Sequence, residues 1–215
     1  EAKAVMHSFA EKGYLASGNR GTNYLFVDAN GKILQIADNC YKIIEEQVNP
    51  SLKKDGKEYK GIYFTVSRVN DYGSPEDALI SNYGNITIEL ANSPKVSKHP
   101  AMWNFERAQS STTILIDPEY PETLTTIFVT LPAYGYSIPF LMGANATPRA
   151  LMDGTVYEKQ RTSFEYSEFY EAGINDMWRK FIYGVRAQLK EGKDVQEELN
   201  ENFLKMVNFV LSMNE

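Results

Sequence analysis

Very few side chains here are equipped for covalent or metal chemistry. There is one cysteine, Cys40, so an intrachain disulfide cannot form, while one to another chain stays open. The two histidines, His7 and His99, lie far apart, and neither has a second ligand at a metal-binding spacing. That argues against a zinc site and against a Ser-His-Asp triad; no metal and no other cofactor is expected. Cys40 opens a stretch with strand character. Its expected role is that of a small core residue. Tyr134, Tyr136 and Phe140 sit in an irregular run with Gly135 and prolines. Such a run either lines a substrate cleft or packs beneath a long loop, and the residues alone leave both open. Asn85-Ile86-Thr87 and Asn145-Ala146-Thr147 match the N-glycosylation acceptor pattern, but nothing in the sequence supplies a secretory context.

The elements that would position these residues can be read from periodicity. Residues 1–12 form a short helix with Val5, Met6 and Phe9 on one face, broken by Gly13. A strand over 23–28 turns at Asn30-Gly31 into a partner strand over 33–37. Cys40 to Val48 is a third extended stretch, followed by a charged loop with Lys53, Lys54, Asp55 and Lys57. A fourth strand covers 61–69. Ser74-Pro75-Glu76-Asp77 starts a helix whose stripe runs through Leu79, Tyr83, Ile86 and Leu90, although Ile86, Ile88 and Leu90 also alternate like a strand. Residues 92–104 are a loop. A second hairpin pairs 111–117 with 124–131, and 132–148 is irregular. Two helices close the chain, over 164–190 and 195–212. Their faces are Trp178, Phe181, Ile182, Val185 and Leu189, then Val195, Leu199, Phe203, Met206 and Val210. Gly192 ends the first, and Asp194 with Glu197 caps the second. Strands followed by helices predict an α+β layered fold.

Composition sets the outer bounds. The 215 residues suffice for a single domain spanning 1–215 with a real core. Hydrophobic residues at 43% and charged residues at 23% are globular usage rather than disorder. A net charge of −6 leaves no electrostatic footprint for nucleic acid or anionic lipid, and no apolar run reaches membrane-spanning length. Compartment and homo-oligomer formation stay open.

Three segments, in order, resemble one family. Gly21-Thr22-Asn23-Tyr24-Leu25-Phe26-Val27-Asp28-Ala29-Asn30-Gly31 resembles the hairpin of the penicillin acyltransferase and choloylglycine hydrolase group, within the N-terminal-nucleophile hydrolases. Val66-Ser67-Arg68-Val69-Asn70 resembles the strand that carries that group's Asn. Arg107-Ala108-Gln109-Ser110-Ser111-Thr112-Thr113, with Ile114 to Asp117 and Leu124 to Leu131, resembles a hairpin of its bacterial members, and Pro139-Phe140 with Asn145 to Pro148 fits the same group. The resemblance covers most of residues 15–150. It implies part of a four-layer αββα sandwich of stacked antiparallel sheets and outer helices.

It also implies an amidohydrolase or acyltransferase acting on linear amide C–N bonds of small acylated amines, peptides or conjugates. The nucleophile in that group is an N-terminal cysteine whose own α-amino group is the base. This chain would then be a C-terminal portion, inactive alone and partnered by an upstream nucleophile-bearing segment or chain. Asn70 would stabilise the oxyanion, a contribution of roughly 3–4 kcal/mol in comparable sites, or be an ordinary turn residue in Val69-Asn70-Asp71-Tyr72-Gly73. Arg107 would lie near the thiol, or pair with Glu106 on a solvated loop. Ser110 and Ser111 would offer hydrogen bonds at the pocket rim, or merely begin a strand. On this reading Asn70 and the Arg107–Ser111 segment converge at one sheet edge, roofed by Tyr134 to Phe140. The alternative is a catalytically inactive ligand-binding or structural domain on the same scaffold.

Overall fold

The computed structural model describes residues 1–13, 23–38, 42–62, 74–96, 111–130, 137–162 and 168–212. The chain divides into two compact units, Glu1–Ser67 and Arg68–Glu215. The fold is mixed α and β, and its sheets are antiparallel.

The first unit opens with α1 (Ala2–Glu11), followed by β1 (Asn23–Val27), β2 (Ile33–Asp38) and β3 (Ile43–Val48) in a meander of that spatial order. The β1–β2 hairpin forms, but with a longer turn than Asn30-Gly31 alone: Val27 pairs with Ile33, and of the two expected turn residues only Gly31 has positive φ. Gly31 takes φ +74°, and the Asp28 carboxylate accepts the N–H groups of Asn30 and Lys32 at 2.9 and 2.8 Å. Met6 and Ile36 are the buried centre, with Ala10, Tyr24, Phe26, Leu34 and Ile43 packed around them. The face expected for α1 needs correction. Val5 and Phe9 are each 43% exposed, and the buried side runs through Met6. Lys3 and His7, one turn apart, both reach Glu46 on β3, at 2.7 and 3.0 Å. Those contacts fix the helix's rotation and turn Val5 and Phe9 outward.

The expected charged loop after Val48 is instead a hairpin, β4 (Ser51–Lys54) with β5 (Lys57–Lys60). Asp55 and Gly56 both take positive φ, +49° and +75°, which is the backbone a two-residue turn requires. The lysines disguise an Asp-Gly turn signal. The strand expected over 61–69 falls largely on 63–69, outside the described residues, as do Cys40 and His99.

In the second unit, the helix expected from Ser74 is two helices, α2 (Pro75–Ser81) and α3 (Ile88–Ala91). Ser74 caps the first, accepting the Asp77 N–H at 3.4 Å. Gly84 at φ +83° breaks the stripe, and Thr87 caps the restart by accepting the Leu90 N–H at 3.3 Å. Then come β6 (Ser111–Leu115), a single turn α4 (Pro121–Leu124), β7 (Thr126–Thr130) and β8 (Ile138–Leu141). The last lies in the segment expected to be irregular. Its pairing with β7 overrides local composition, with Pro139 tolerated because β8 is an edge strand. Two short helices, α5 (Arg149–Met152) and α6 (Thr155–Thr162), precede α7 (Glu168–Lys190) and α8 (Gln196–Ser212).

Sixteen buried residues from Ile88 to Val210 form one cluster under the sheet and the last two helices. The expected stripes of α7 and α8 supply eight of the sixteen. Along β7, Thr126, Phe128 and Thr130 are buried while Ile127 and Val129 are only partly so, the alternation of a sheet with one face on a core. Phe128 meets Trp178 of α7 edge-to-face, with ring centroids 5.7 Å apart, and the Trp178 indole donates to Thr126 Oγ1 at 2.9 Å. Helices α7 and α8 are antiparallel. Gln188 reaches Glu198 beside their connecting loop, and at the other end Gly173 admits Phe209 so closely that an added Cβ would lie 2.7 Å from the ring.

Candidate functional site

Asn70, Arg107, Ser110, Tyr134 and Tyr136 lie outside the described residues, so their expected convergence does too. Ser111 is the first residue of β6 and pairs with Thr130, the last residue of β7. Residues 131–136 connect Thr130 to Ser137, just ahead of β8, so that connection leaves and rejoins the sheet at the end where β6 begins. Phe140 is on β8, partly buried, with its ring 5.6 Å from that of Phe203 on α8.

That end of the sheet is polar inside. Ser137 is 1% exposed and Glu171 3%, and the Ser137 N–H points to a Glu171 carboxylate oxygen at 3.4 Å. One turn along α7, Asn175 accepts from the Asn92 side chain at 3.4 Å, both residues being buried. The Ser137 hydroxyl is buried with no hydrogen-bond partner among the described residues. Burying such groups is costly unless they are hydrogen-bonded, so a polar lining of this kind behind an apolar sheet is a feature the fold has to support. Helical spacing puts Glu171, Asn175 and Trp178 on one side of α7, where they alternate with the apolar stripe named from sequence. Sequence reading named Trp178 but missed Glu171 and Asn175, because the apolar stripe absorbs that face; the only signal was a Glu and an Asn in phase with it.

The opposite end of the same sheet holds a cleft of about 400 Å³. Its floor is Ile88, Leu115, Leu124, Trp178 and Ile182. Its walls bear two ion pairs, both anchored on α7. Arg186 pairs with Asp117, just past β6, and Arg179 pairs with Glu89 on α3. The spacing of Trp178, Ile182 and Arg186 stacks them on successive turns.

The two pairs differ in character. Asp117 is 5% exposed and accepts the N–H groups of Tyr120 and Glu119 at 2.8 and 3.0 Å as well as the guanidinium. Burial is the strongest single influence on its carboxyl and pushes the pKa up. The Tyr120 N–H, Arg186 and the Glu119 N–H together outweigh it and hold the group below its ordinary value. Asp117 is thereby fully engaged. Glu89 and Arg179 are 43% and 40% exposed, and they face solvent at the cleft mouth. Sequence reading named Asp117 only as a strand end and did not single out the two arginines. An Asp-Pro turn followed by arginines one heptad apart on an apolar face was the available signal.

Among the described residues no group of three or more His, Cys, Asp or Glu could hold a metal ion, and no helix is long and apolar enough to cross a membrane. Comparison with protein-family models, with curated proteins and with solved structures finds no match to this chain.

Proposed function

We propose that this chain is the C-terminal part of a cysteine N-terminal-nucleophile amidohydrolase or acyltransferase, acting on linear amide bonds of small acylated amines, peptides or conjugates. The motifs from Gly21 to Pro148 motivate the reading. The observation that carries it furthest is the layering of the second unit. An antiparallel sheet lays its Phe128 face against Trp178 of α7; on the opposite face Phe140 of β8 meets Phe203 of α8, while Ile114 on β6 is 55% exposed. In the αββα sandwich that this reading expects, a second sheet would cover the exposed strand β6. In this reading the polar end at Ser111, Thr130 and Ser137 faces the reacting amide. The thiolate and its α-amino base are, in this reading, supplied by another segment of the same protein. The thiolate attacks the amide carbon, the amine leaves with a proton, and water or an amine then cleaves the thioester.

Intact-mass measurement and N-terminal sequencing of the protein from its native source test this. The reading expects a chain or segment whose first residue is Cys, and no activity on acylated amines from residues 1–215 alone. A native start at Glu1 with no cysteine-initiated partner overturns it. So does amidase activity of the isolated chain that Cys40→Ala abolishes.

A further inference from the structure

The cleft beside Asp117 lies at the far end of the sheet from Ser111 and Thr130, because β6 runs from Ser111 at one end to Leu115 at the other. It is therefore separate from the end that would face the amide, and its chemistry is independent of the amidohydrolase reading. Its volume of about 400 Å³ falls within the range typical of small-molecule sites. The floor is aliphatic and aromatic. The mouth carries one acid and one base side by side, Glu89 and Arg179. Arg186 and Asp117 form the inner wall, where the backbone N–H groups of Glu119 and Tyr120 leave Asp117 little capacity for a ligand.

We propose that this cleft binds a free apolar α-amino acid. The ligand's ammonium pairs with Glu89, its carboxylate takes the planar fork of Arg179, and its side chain lies over Ile88, Leu124 and Ile182. Charge complementarity selects this occupant. A simple carboxylic acid would use Arg179 but leave Glu89 facing a second anion. A simple amine would do the reverse. A zwitterion replaces the Glu89–Arg179 pair with one opposite charge for each partner. The pair must part to admit the head group, and its partial exposure keeps that exchange inexpensive, since exposed ion pairs contribute little to stability.

Calorimetric titration of the whole chain with L-leucine and L-phenylalanine tests the proposal. Saturable one-to-one binding is expected. N-acetyl-L-phenylalanine lacks the ammonium, and phenethylamine and 3-phenylpropionate each lack one charged group. Each should bind at least about tenfold more weakly than phenylalanine. Arg179→Gln and Glu89→Gln should each cause a similar loss, with circular dichroism unchanged. The analogue series uses the unaltered protein, so the result stands even if a variant misfolds. Absence of saturable binding for both amino acids overturns the proposal. So does an analogue that binds as tightly as phenylalanine, or affinity that survives both substitutions in folded protein.

Discussion

The two units are held together by different means. The second builds a continuous apolar cluster from Ile88 to Val210, with Phe128, Ile174, Val185 and Val207 at or below 1% exposure. The first centres on Met6 and Ile36, and around them it relies on strand ladders, an Asp-stabilised turn and charged contacts from α1 to Glu46. The lesson is that one chain can combine a region stabilised by buried area with one stabilised by backbone pairing. Burial of a large apolar side chain contributes roughly 1.5–3 kcal/mol, whereas partly exposed ion pairs contribute at most about 1 kcal/mol. Amide hydrogen exchange should therefore be slower in β7, α7 and α8 than in β1 to β5. Equal protection in both units would break the comparison.

Substitutions sharpen it, the largest effect first. Phe128→Ala removes a ring that is 1% exposed and touches Trp178. It should cost about 3–5 kcal/mol in urea denaturation followed by Trp fluorescence. A loss under about 1 kcal/mol would mean that the cluster collapses around the hole. Asp117→Asn leaves Arg186 only the looser Glu119 carboxylate, 4.0 Å away, and should cost about 2–3 kcal/mol, less than a wholly buried pair because Arg186 is 28% exposed.

The same residue gives a pH signature. Its folded pKa lies below the ordinary 3.8, so its stabilisation is complete above that value and disappears as pH falls through the depressed folded value. Denaturation midpoints measured between about pH 5 and pH 2 should fall less steeply in Asp117→Asn than in the parent. Parallel profiles would show that the Asp117 pair is not what acid removes.

In the first unit, Met6→Ala should cost about 2 kcal/mol, the low end for such a truncation because the surrounding cluster is small. Exchange in β1 to β3 should accelerate while α7 and α8 stay unchanged. Gly56→Ala is the smallest of the series, about 1 kcal/mol, since only the φ of +75° is strained and a Cβ there meets nothing within 4 Å. Its effect should be confined to the amides of β4 and β5.

Repetition is what makes structure legible in this sequence. The α7 and α8 stripes are readable because five apolar positions recur at helical spacing in each, and the Asn30-Gly31 hairpin because its residues suit one backbone shape. The Asp55-Gly56 turn is equally regular but hidden among lysines, whose charge suggests a solvated loop. Tertiary context decides the rest. Met6 rather than Val5 faces the sheet because Glu46, distant in sequence, holds Lys3 and His7. Strand β8 exists because β7 offers it an edge. The cleft is illegible for the same reason. Glu89, Asp117, Arg179 and Arg186 come from three separate parts of the chain, and no local pattern announces that they meet. Asn70 and Arg107, named from the resemblance, fall outside the described residues and leave that part of the reading to experiment.

The order of elements in the second unit matters while the chain is being made. Its sheet is complete once Leu141 has emerged, yet the helices that cover its inner face end about seventy residues later. At translation rates of roughly 5–20 residues per second, that interval is on the order of 4–14 s. Until α7 and then α8 emerge, Phe128 and Leu141 have no helix of that pair to lie against. A nascent chain in that state presents a sticky sheet to its surroundings, so yield in the cell should depend on holdase chaperones more than the finished protein's stability would suggest.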